Sequence, residues 1–502
     1  MNITDPGPPG LPLYTAEQVR ELDRLAIEEA GIPGYTLMCR AGEAGWSRLI
    51  TCWPDARCIV VVCGTGNNGG DGYVVARLAR AAGLQVRVAQ VGDAGRIRGD
   101  ALTARTDYTV SGGTVEPFAA AILAGADVIV DALLGTGLQR APEGIWRDAV
   151  AAINASGIPV LAIDIPSGLQ ADSGSVPGAA VRATETVTFI GRKRGLFTGR
   201  GPEYTGSTGF ADLGVPDTVY SRFSPDCRLL VRPRLGLLAG PRPRAAHQGN
   251  FGHVLVLGGG PGMAGAARLA GEAALRTGAG LVSLATRPEH AAVLAAACPE
   301  LIAHAVTTPM DLRELLERAT IVVAGPGLGR TEWARSLLSV VLESRLPRVL
   351  DADALNLLAR DPGYCDHWVL TPHPGEAGRL LQQSTMDIQA DRFAAVTGLQ
   401  QRYGGVVVLK GAGTIVAGNG RGLSVCGRGN PGMAAAGMGD VLSGVIAALI
   451  AQGMSLEDAA VAGVCVHALA GDRAALEGER GMKAGDVIAE LRGIMNPAGD
   501  PA

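Results

Sequence analysis

Short apolar runs alternate with helical stretches along almost the whole chain, and that alternation decides the fold class. In the first half the runs are CIVVVC (58–63), QVRVAQV (85–91), DVIVDAL (127–133), PVLAIDI (159–165) and TVTFI (186–190), with YVVARLARAAG and WRDAVAAINAS between them. In the second half they are HVLVLGG, LVSLAT, TIVVAG, RVLDAD, WVLTP, VVVLKG and TIVAG. Each is apolar throughout and bounded by Gly, Asp or Pro, as parallel strands buried on both faces should be. Thr15 and Gln18 have capping-box spacing for a helix over TAEQVRELDRLAIEEAG, which Gly31 and Pro33 stop. From about Leu230 the text changes to VRPRLGLLAGPRPRAAHQGN, proline and arginine without periodicity, which reads as a linker. The expectation is an α/β chain of two domains, 1–225 and 246–495, joined over 226–245.

A length of 502 residues, 47% of them hydrophobic and 18% charged, allows two or three globular domains. Aromatic residues make up only 4%, so the cores must be built from Ala, Val, Leu and Ile. A formal net charge of -4 gives no general pull toward nucleic acid or acidic membranes, and neither is expected as a partner. Of 44 basic residues only Lys193, Lys410 and Lys483 are lysines, which reads as a codon bias. Nine cysteines without a C-x-x-C pair argue for a reducing compartment and against zinc or a disulfide framework. The opening MNITDPGPPGLP has no basic-then-apolar signal pattern, and no apolar run reaches the roughly 18 residues of a membrane span. VLSGVIAALIA is read as a buried helix. A cytoplasmic homo-oligomer is the expectation.

CGTGNNGGDG, residues 63–72, joins a strand to a helix, and Gly64, Gly66 and Gly69 satisfy G-x-G-x-x-G. Such a turn binds anions on the helix N-terminus. A Walker loop is excluded, because no lysine stands between Gly and Ser or Thr. A dinucleotide turn fits the spacing, with Asp93 about 20 residues on. Asp71, however, would compete with a phosphate for the positive helix end, or would only cap that helix. Asp131 and Asp164 end two further strands, the second followed by Pro166, Ser167 and Gly168. Ligands of doubly wound sheets bind beyond the carboxyl ends of the strands, so Asn67, Asn68, Asp71, Asp131, Asp164 and Ser167 can share one polar cleft. Their oxygens suit a hard cation rather than zinc.

In the second half GRGNPGMAAAGMGDVLSGVIAALIAQG (427–453) delivers Gly437, Met438, Gly439 and Asp440 to the start of a long apolar helix. Backbone N–H groups there can stabilise charge on a transferring phosphoryl group, while Asp440 takes a proton from a hydroxyl nucleophile; the alternative is a helix cap. Companions are Gly325, Gly327 and Gly329, then Asp351, Asp353 and Asn356, then His373 and Glu376, and finally Lys410 with Gly411.

GTGNNGGDGYVVARLA, VDALLGTGL, DIPSGL and KRGLFTGRGPEYTG closely resemble the YjeF N-terminal domain, whose members are NAD(P)H-hydrate epimerases. The resemblance covers most of residues 10–220 and implies a Rossmann-like three-layer sandwich. By it, Asn67, Asn68, Gly69, Gly70 and Asp71 contact the substrate. Asn68, Asp131 and Ser167 hold K+. The loop Gly135, Thr136, Gly137, Leu138, Gln139, Arg140 and Ala141 lines the substrate's phosphate end, with Trp146 beside it. Asp164 is the candidate acid/base at the hydrated carbon.

NPGM…GMGDVLSG and its companions resemble the ADP-dependent NAD(P)H-hydrate dehydratases of the ribokinase-like superfamily, over roughly 240–495. That implies ADP as co-substrate, Mg2+ with the nucleotide, and phosphorylation of the substrate hydroxyl followed by loss of phosphate. Lys410, Gly411, Ala412, Gly413, Thr414 and Gly439 then contact the nucleotide. Ala264, Gly327, His373 and Asp440 contact the hydrate, with Asp440 the base. Gln248 stands where relatives often carry lysine. The expected partners are NADHX, NADPHX and an adenine nucleotide. Two other readings remain at this stage: a small-molecule kinase, which the second half alone allows, and a first domain that only binds RNA or protein.

Overall fold

The computed structural model describes residues 10–496 except Gln139 and Arg421. It has two compact units, one spanning Pro12–Cys227 and one comprising Leu11 with the chain from Arg228. β1 (Leu11–Leu13) and β9 (Cys227–Leu230) are the strands at which the chain passes between units.

In the first unit β2 (Cys58–Cys63), β3 (Gln85–Gln90), β4 (Val115–Pro117), β5 (Val128–Ala132), β6 (Val160–Ile163), β7 (Glu185–Phe189) and β8 (Ser207–Ala211) form one sheet. Its order is β4-β3-β2-β5-β6-β7-β8, and every neighbouring pair is parallel. All six β2 residues are buried. Ile59 and Val61 join a core with the helices Ala16–Glu28, Gly34–Cys52 and Asn67–Ala81, while Val60 and Val62 pack on the other face against the helix Ile145–Ala155. This is the expected three-layer sandwich. The five strands read from sequence are present; β4 and β8, the two sheet edges, are only partly buried and carry no apolar run.

The second unit is built on β10 (His253–Leu257), β11 (Leu281–Thr286), β12 (Ile302–Ala305), β13 (Ile321–Ala324), β14 (Arg348–Leu350), β15 (Trp368–Leu370), β16 (Val406–Leu409), β17 (Thr414–Ala417) and β18 (Leu423–Cys426). The sheet order is β1-β9-β18-β17-β16-β15-β14-β13-β10-β11-β12. Strands from β12 through β16 are parallel, and β16-β17-β18 turn back antiparallel. The helix Met438–Ala451 lies in the core as expected, so close to the helix Ala264–Thr277 that a Cβ on Gly444 would sit 2.0 Å from the Ala270 carbonyl oxygen. The stretch read as a linker, 226–245, contains β9, whose Cys227, Leu229 and Leu230 are buried. Among the described residues one stretch, 456–477, is long and apolar enough to cross a membrane, and 61% of its most apolar window is buried inside the protein.

Candidate active sites

In the first sheet the strand order reverses between β2 and β5, and loops leaving the carboxyl ends of two such strands diverge to open a crevice. A cavity of about 1040 Å³ lies there. The helix Asn67–Ala81 begins inside the glycine motif, with Gly66 as its cap, so Asp71 is not a cap and belongs to the helix itself. Gly64 and Gly69 allow close approach: a Cβ on the first would stand 1.9 Å from the Leu133 carbonyl oxygen, and on the second 2.2 Å from that of Gly64. Gly70 likewise packs against Met38. Gly69 therefore seats the helix start on the strand-end loop and Gly70 lets the neighbouring helices pack close, while Asn67, Asn68 and Asp71 line the cavity. Residues 135–138, Arg140, Ala141, Trp146 and Asp164 line it too; Gln139 lies outside the described residues. Asp93 instead caps a short turn, accepting from the Gly95 N–H at 2.8 Å.

Three of the five described non-glycine residues at positive φ line this cavity: Asp164 (68°), Ile190 (61°) and Leu213 (56°). Asp164 and Ile190 directly follow β6 and β7, and each is the centre of a three-residue turn, closed by Ile165 N–H to Ile163 C=O (2.9 Å) and Gly191 N–H to Phe189 C=O (2.6 Å). Positive-φ turns of this kind are rare and strained, and such strain concentrates at functional sites. The Asp164 Oδ1 atom accepts from the Phe189 N–H (3.1 Å), from Thr188 Oγ1 (3.3 Å) and from Lys193 Nζ. Asp23 and Asp71 stand in the same pocket. Burial raises the Asp71 carboxyl well above its ordinary value, the Asp164 and Asp23 charges add to this, and Lys193 opposes it. Burial likewise raises Asp23.

Behind the cavity wall Asp131 is fully buried and accepts from Ser167 twice, N–H to Oδ2 at 2.8 Å and Oγ to Oδ1 at 2.6 Å. Ser167 Oγ also accepts from the Leu134 N–H at 2.8 Å. Burial pushes the Asp131 carboxyl up to about 6 against these bonds. Asn68 packs beside Gly135, one residue from Leu134, and both its side-chain polar atoms are buried without a hydrogen-bond partner. The buried Asp131 carboxylate, the Ser167 hydroxyl and the unpartnered Asn68 amide oxygen are donors that fit a monovalent oxygen-ligated cation.

The second sheet reverses between β10 and β13, and the residues singled out there follow consecutive strand ends. Asp351 follows β14, His373 and Glu376 follow β15, and Lys410 follows β16. Lys410 Nζ donates to Asp351 Oδ1 at 2.6 Å and lies 3.9 Å from Glu376 Oε2. Asp351 Oδ2 accepts from Ser443 Oγ at 2.8 Å. Burial alone would raise Asp351; Lys410 and these bonds hold it below its ordinary range. Asp440 stands in the first turn of the helix Met438–Ala451 behind Gly437, which has φ 89°. Burial pushes its carboxyl up to about 7, Asp351 and Glu376 adding to this and Lys410 opposing it. A Cβ on Gly439 would stand 3.0 Å from Lys410 Nζ, so the cation lies against the helix's opening turn.

Ala264 begins its helix, and Gly327 (φ 56°) packs on the preceding Met263. His373 caps the helix Pro374–Leu381: its Nδ1 accepts from the Gly375 N–H at 3.0 Å, and Glu376 Oε2 accepts from the His373 N–H at 2.8 Å. Burial lowers the imidazole below its ordinary range, so Nε2 carries the proton and faces Glu376 Oε1 at 3.4 Å. Gly411, Ala412 and Gly413 form the tip of the β16-β17 hairpin, and Thr414 Oγ1 bonds back to the Gly411 carbonyl at 3.0 Å. Gln248 is exposed and precedes β10, at the amino ends of the parallel strands, away from the strand ends that carry Asp351, His373 and Lys410. Sequence reasoning missed four side chains. Lys193 opens the motif KRGLFTGRGPEYTG but was given no role. Asp23 lies in an ordinary amphipathic helix. Ser443 stands in GMGDVLSG but was given no role, and Arg392, which is 1% exposed and donates to the Leu409 and Lys410 carbonyls, carries no motif signal.

Two family models match the chain, one described as YjeF-related protein N-terminus over residues 34–195 and one as NAD(P)H-hydrate dehydratase over 254–492. The bifunctional NAD(P)H-hydrate repair enzyme of Coxiella burnetii is 51% identical, covering 97% of this chain and 99% of its own. The enzyme of the same name from Escherichia coli is 45% identical, covering 97% and 94%. Among solved structures, the ADP/ATP-dependent NAD(P)H-hydrate dehydratase from Bacillus subtilis, co-crystallised with ATP/Mg2+, is 26% identical at a TM-score of 0.46, covering 51% of this chain and 92% of that one. With a family model matched in each unit and this identity over nearly its full length, the chain belongs to the family of bifunctional NAD(P)H-hydrate repair enzymes.

Proposed function

We propose that the chain recovers hydrated nicotinamide coenzymes in two steps. The first domain (1–225) interconverts the R and S forms of NADHX and NADPHX, and the second (246–495) dehydrates the S form at the expense of ADP. What supports this is the pairing, in one chain, of a cavity lined by Asp164 with a carboxyl, Asp440, pushed up to about 7 in the opening turn of a helix.

In the first domain Asp164 exchanges a proton with the hydrated carbon's substituents, a role worth ~10²–10⁴-fold. Asn67, Asn68, Asp71 and residues 135–141 hold the dinucleotide. Asn68, Asp131 and Ser167 would hold K+, which balances the buried carboxylate; the unpartnered Asn68 amide supports this. In the second domain Asp440 takes the proton of the substrate hydroxyl as its oxygen attacks the terminal phosphorus of the nucleotide. The N–H groups opening the helix Met438–Ala451 face the transferring charge. Phosphate, unlike hydroxide, is a good leaving group, and its loss with a proton from the adjacent carbon restores the dihydronicotinamide. Lys410 to Thr414 and Gly439 hold the nucleotide; Ala264, Gly327 and His373 hold the hydrate. Mg2+ accompanies the nucleotide phosphates and keeps several waters, so it needs no all-protein cage. The nine free cysteines support a reducing, cytoplasmic setting. The protein acts as a homo-oligomer.

The test crosses two variants. Asp164→Ala is expected to abolish epimerisation and to leave ADP-dependent dehydration of the S hydrate intact; Asp440→Asn is expected to do the reverse. A stable phosphorylated product, in place of free phosphate and restored dihydronicotinamide absorbance, would show a small-molecule kinase instead.

A further inference from the structure

We infer that Lys193 is the positioning residue of the first site: it fixes Asp164 through Oδ1 so that Oδ2 is the atom that exchanges the proton with the substrate. The inference rests on the epimerase reading and adds a residue to it. Lys193 is 1% exposed, and its Nζ has three acceptors, Asp164 Oδ1, Thr188 Oγ1 at 3.1 Å and the Phe189 carbonyl at 3.0 Å. An ammonium has three protons, so all are used. Lys193 thus donates nothing to a substrate, and its part is to hold. Asp164 Oδ1 in turn takes three donors, while among the described residues Oδ2 has none. Its residue sits in a strained turn at the cavity wall.

The backbone of Lys193 is clamped as well. Tyr14 bridges across it, its N–H bonding the Arg192 carbonyl at 2.8 Å and its carbonyl accepting from the Arg194 N–H at 3.0 Å. The composition fits. In a chain where 41 of 44 basic residues are arginine, Lys193 stands where three acceptors converge on one point, a geometry that a planar guanidinium fork does not match. Lys410 likewise donates to a carboxylate, that of Asp351, with its side chain 18% exposed. Around Asp164 the pocket presents Asp23 from the helix Ala16–Glu28, Asp71 from Asn67–Ala81 and Asp100 from Gly99–Val110. Arg20, Arg96, Arg140 and Glu143 also line it. Lys193 is the cation whose charge opposes the upward push on both Asp23 and Asp71.

The experiment measures the pH profile of epimerisation for the full chain and for Lys193→Met, Lys193→Arg and Thr188→Val, with dehydration of the S hydrate as the internal control. No epimerisation by the unaltered chain would remove the epimerase reading itself, before any variant is considered. With the unaltered chain active, Lys193→Met is expected to lower kcat about 100-fold with KM within about threefold, and to move the acid limb to higher pH, since Asp164 then faces three carboxylates without that cation. Lys193→Arg keeps the charge and is expected to keep the acid limb in place at reduced kcat. If Lys193→Met unfolds the first unit, Thr188→Val, which removes one bond to each partner, is expected to lower kcat about 3- to 10-fold with KM unchanged. A folded Lys193→Met with unaltered kcat overturns the proposal. So does an equal fall in the Met and Arg variants with neither acid limb displaced, or an unchanged kcat in Thr188→Val.

Discussion

Replacing Asp440 by Asn is expected to inactivate the second unit and to stabilise it. Asp440 has an ordinary carboxyl value of 3.8 that the folded chain pushes up to about 7. The folded state therefore binds a proton that the unfolded state has released between those pH values, and stability falls as pH rises through that window. At about 1.4 kcal/mol per pH unit the gap sets a ceiling of roughly 4 kcal/mol, all of it withdrawn above pH 7. An asparagine side chain carries no proton to lose. The Asp440→Asn variant should therefore match the unaltered chain near pH 4 and exceed it by up to roughly 4 kcal/mol at pH 8. Hydrogen exchange of the helix Met438–Ala451, compared between the two chains at each pH, reads this unit alone. Dehydration of the S hydrate should fall ~10²–10⁴-fold in the same variant, and the unaltered chain should lose about tenfold in rate per pH unit below 7. Equal protection at pH 8, or more than a tenth of the activity retained, would refute the assignment of a destabilising, ionisable base at this position.

The remaining outcomes rest on close contacts. Gly64→Ala drives a Cβ to 1.9 Å from the Leu133 carbonyl oxygen and should cost about 3 kcal/mol or more, seen as lost exchange protection in the helix Asn67–Ala81. Gly66→Ala meets nothing within 4 Å, should cost less than about 1 kcal/mol, and should raise KM for the hydrate because the added methyl enters the cavity. Lys410→Met leaves Asp351, whose side chain is 1% exposed, without its cation, and should destabilise the second unit by about 3–5 kcal/mol in the exchange assay; Asp351→Asn in the same chain should recover part of that loss. Asn68→Leu removes two orphaned polar atoms and should raise the melting temperature in K+-free buffer while abolishing any further rise on adding K+.

The sheets were legible because buried parallel strands leave uninterrupted apolar runs, as in CIVVVC, every residue of which is buried. The edge strands β4 and β8 were missed for the same reason reversed: half-buried edges need no such run, whereas β9, between β1 and β18, lies in the proline- and arginine-rich stretch read as a linker. Strand ends put Asp131, Asp164, Asp351 and Lys410 at the carboxyl ends of their sheets, since topology fixes where a strand-end residue goes. The roles inside NNGGDG were harder to separate. Gly69 and Gly70 serve packing, and Asn68 and Asp71 face the cavity, a distinction that depends on helix phase and therefore on where the helix begins. Lys193 opens the KRGLFTGRGPEYTG motif, but its partner Asp164 is distant in sequence, and Arg392 acts by burial with no local spacing to announce it.

The most direct test of the account uses a mixture of R and S NADH hydrate with the full chain, ADP, Mg2+ and K+, followed by dihydronicotinamide absorbance. Complete recovery of reduced coenzyme, with one phosphate released per molecule restored, is the predicted result. Recovery that halts at the S fraction would contradict the first site's role, and no recovery with either ADP or ATP would contradict the whole.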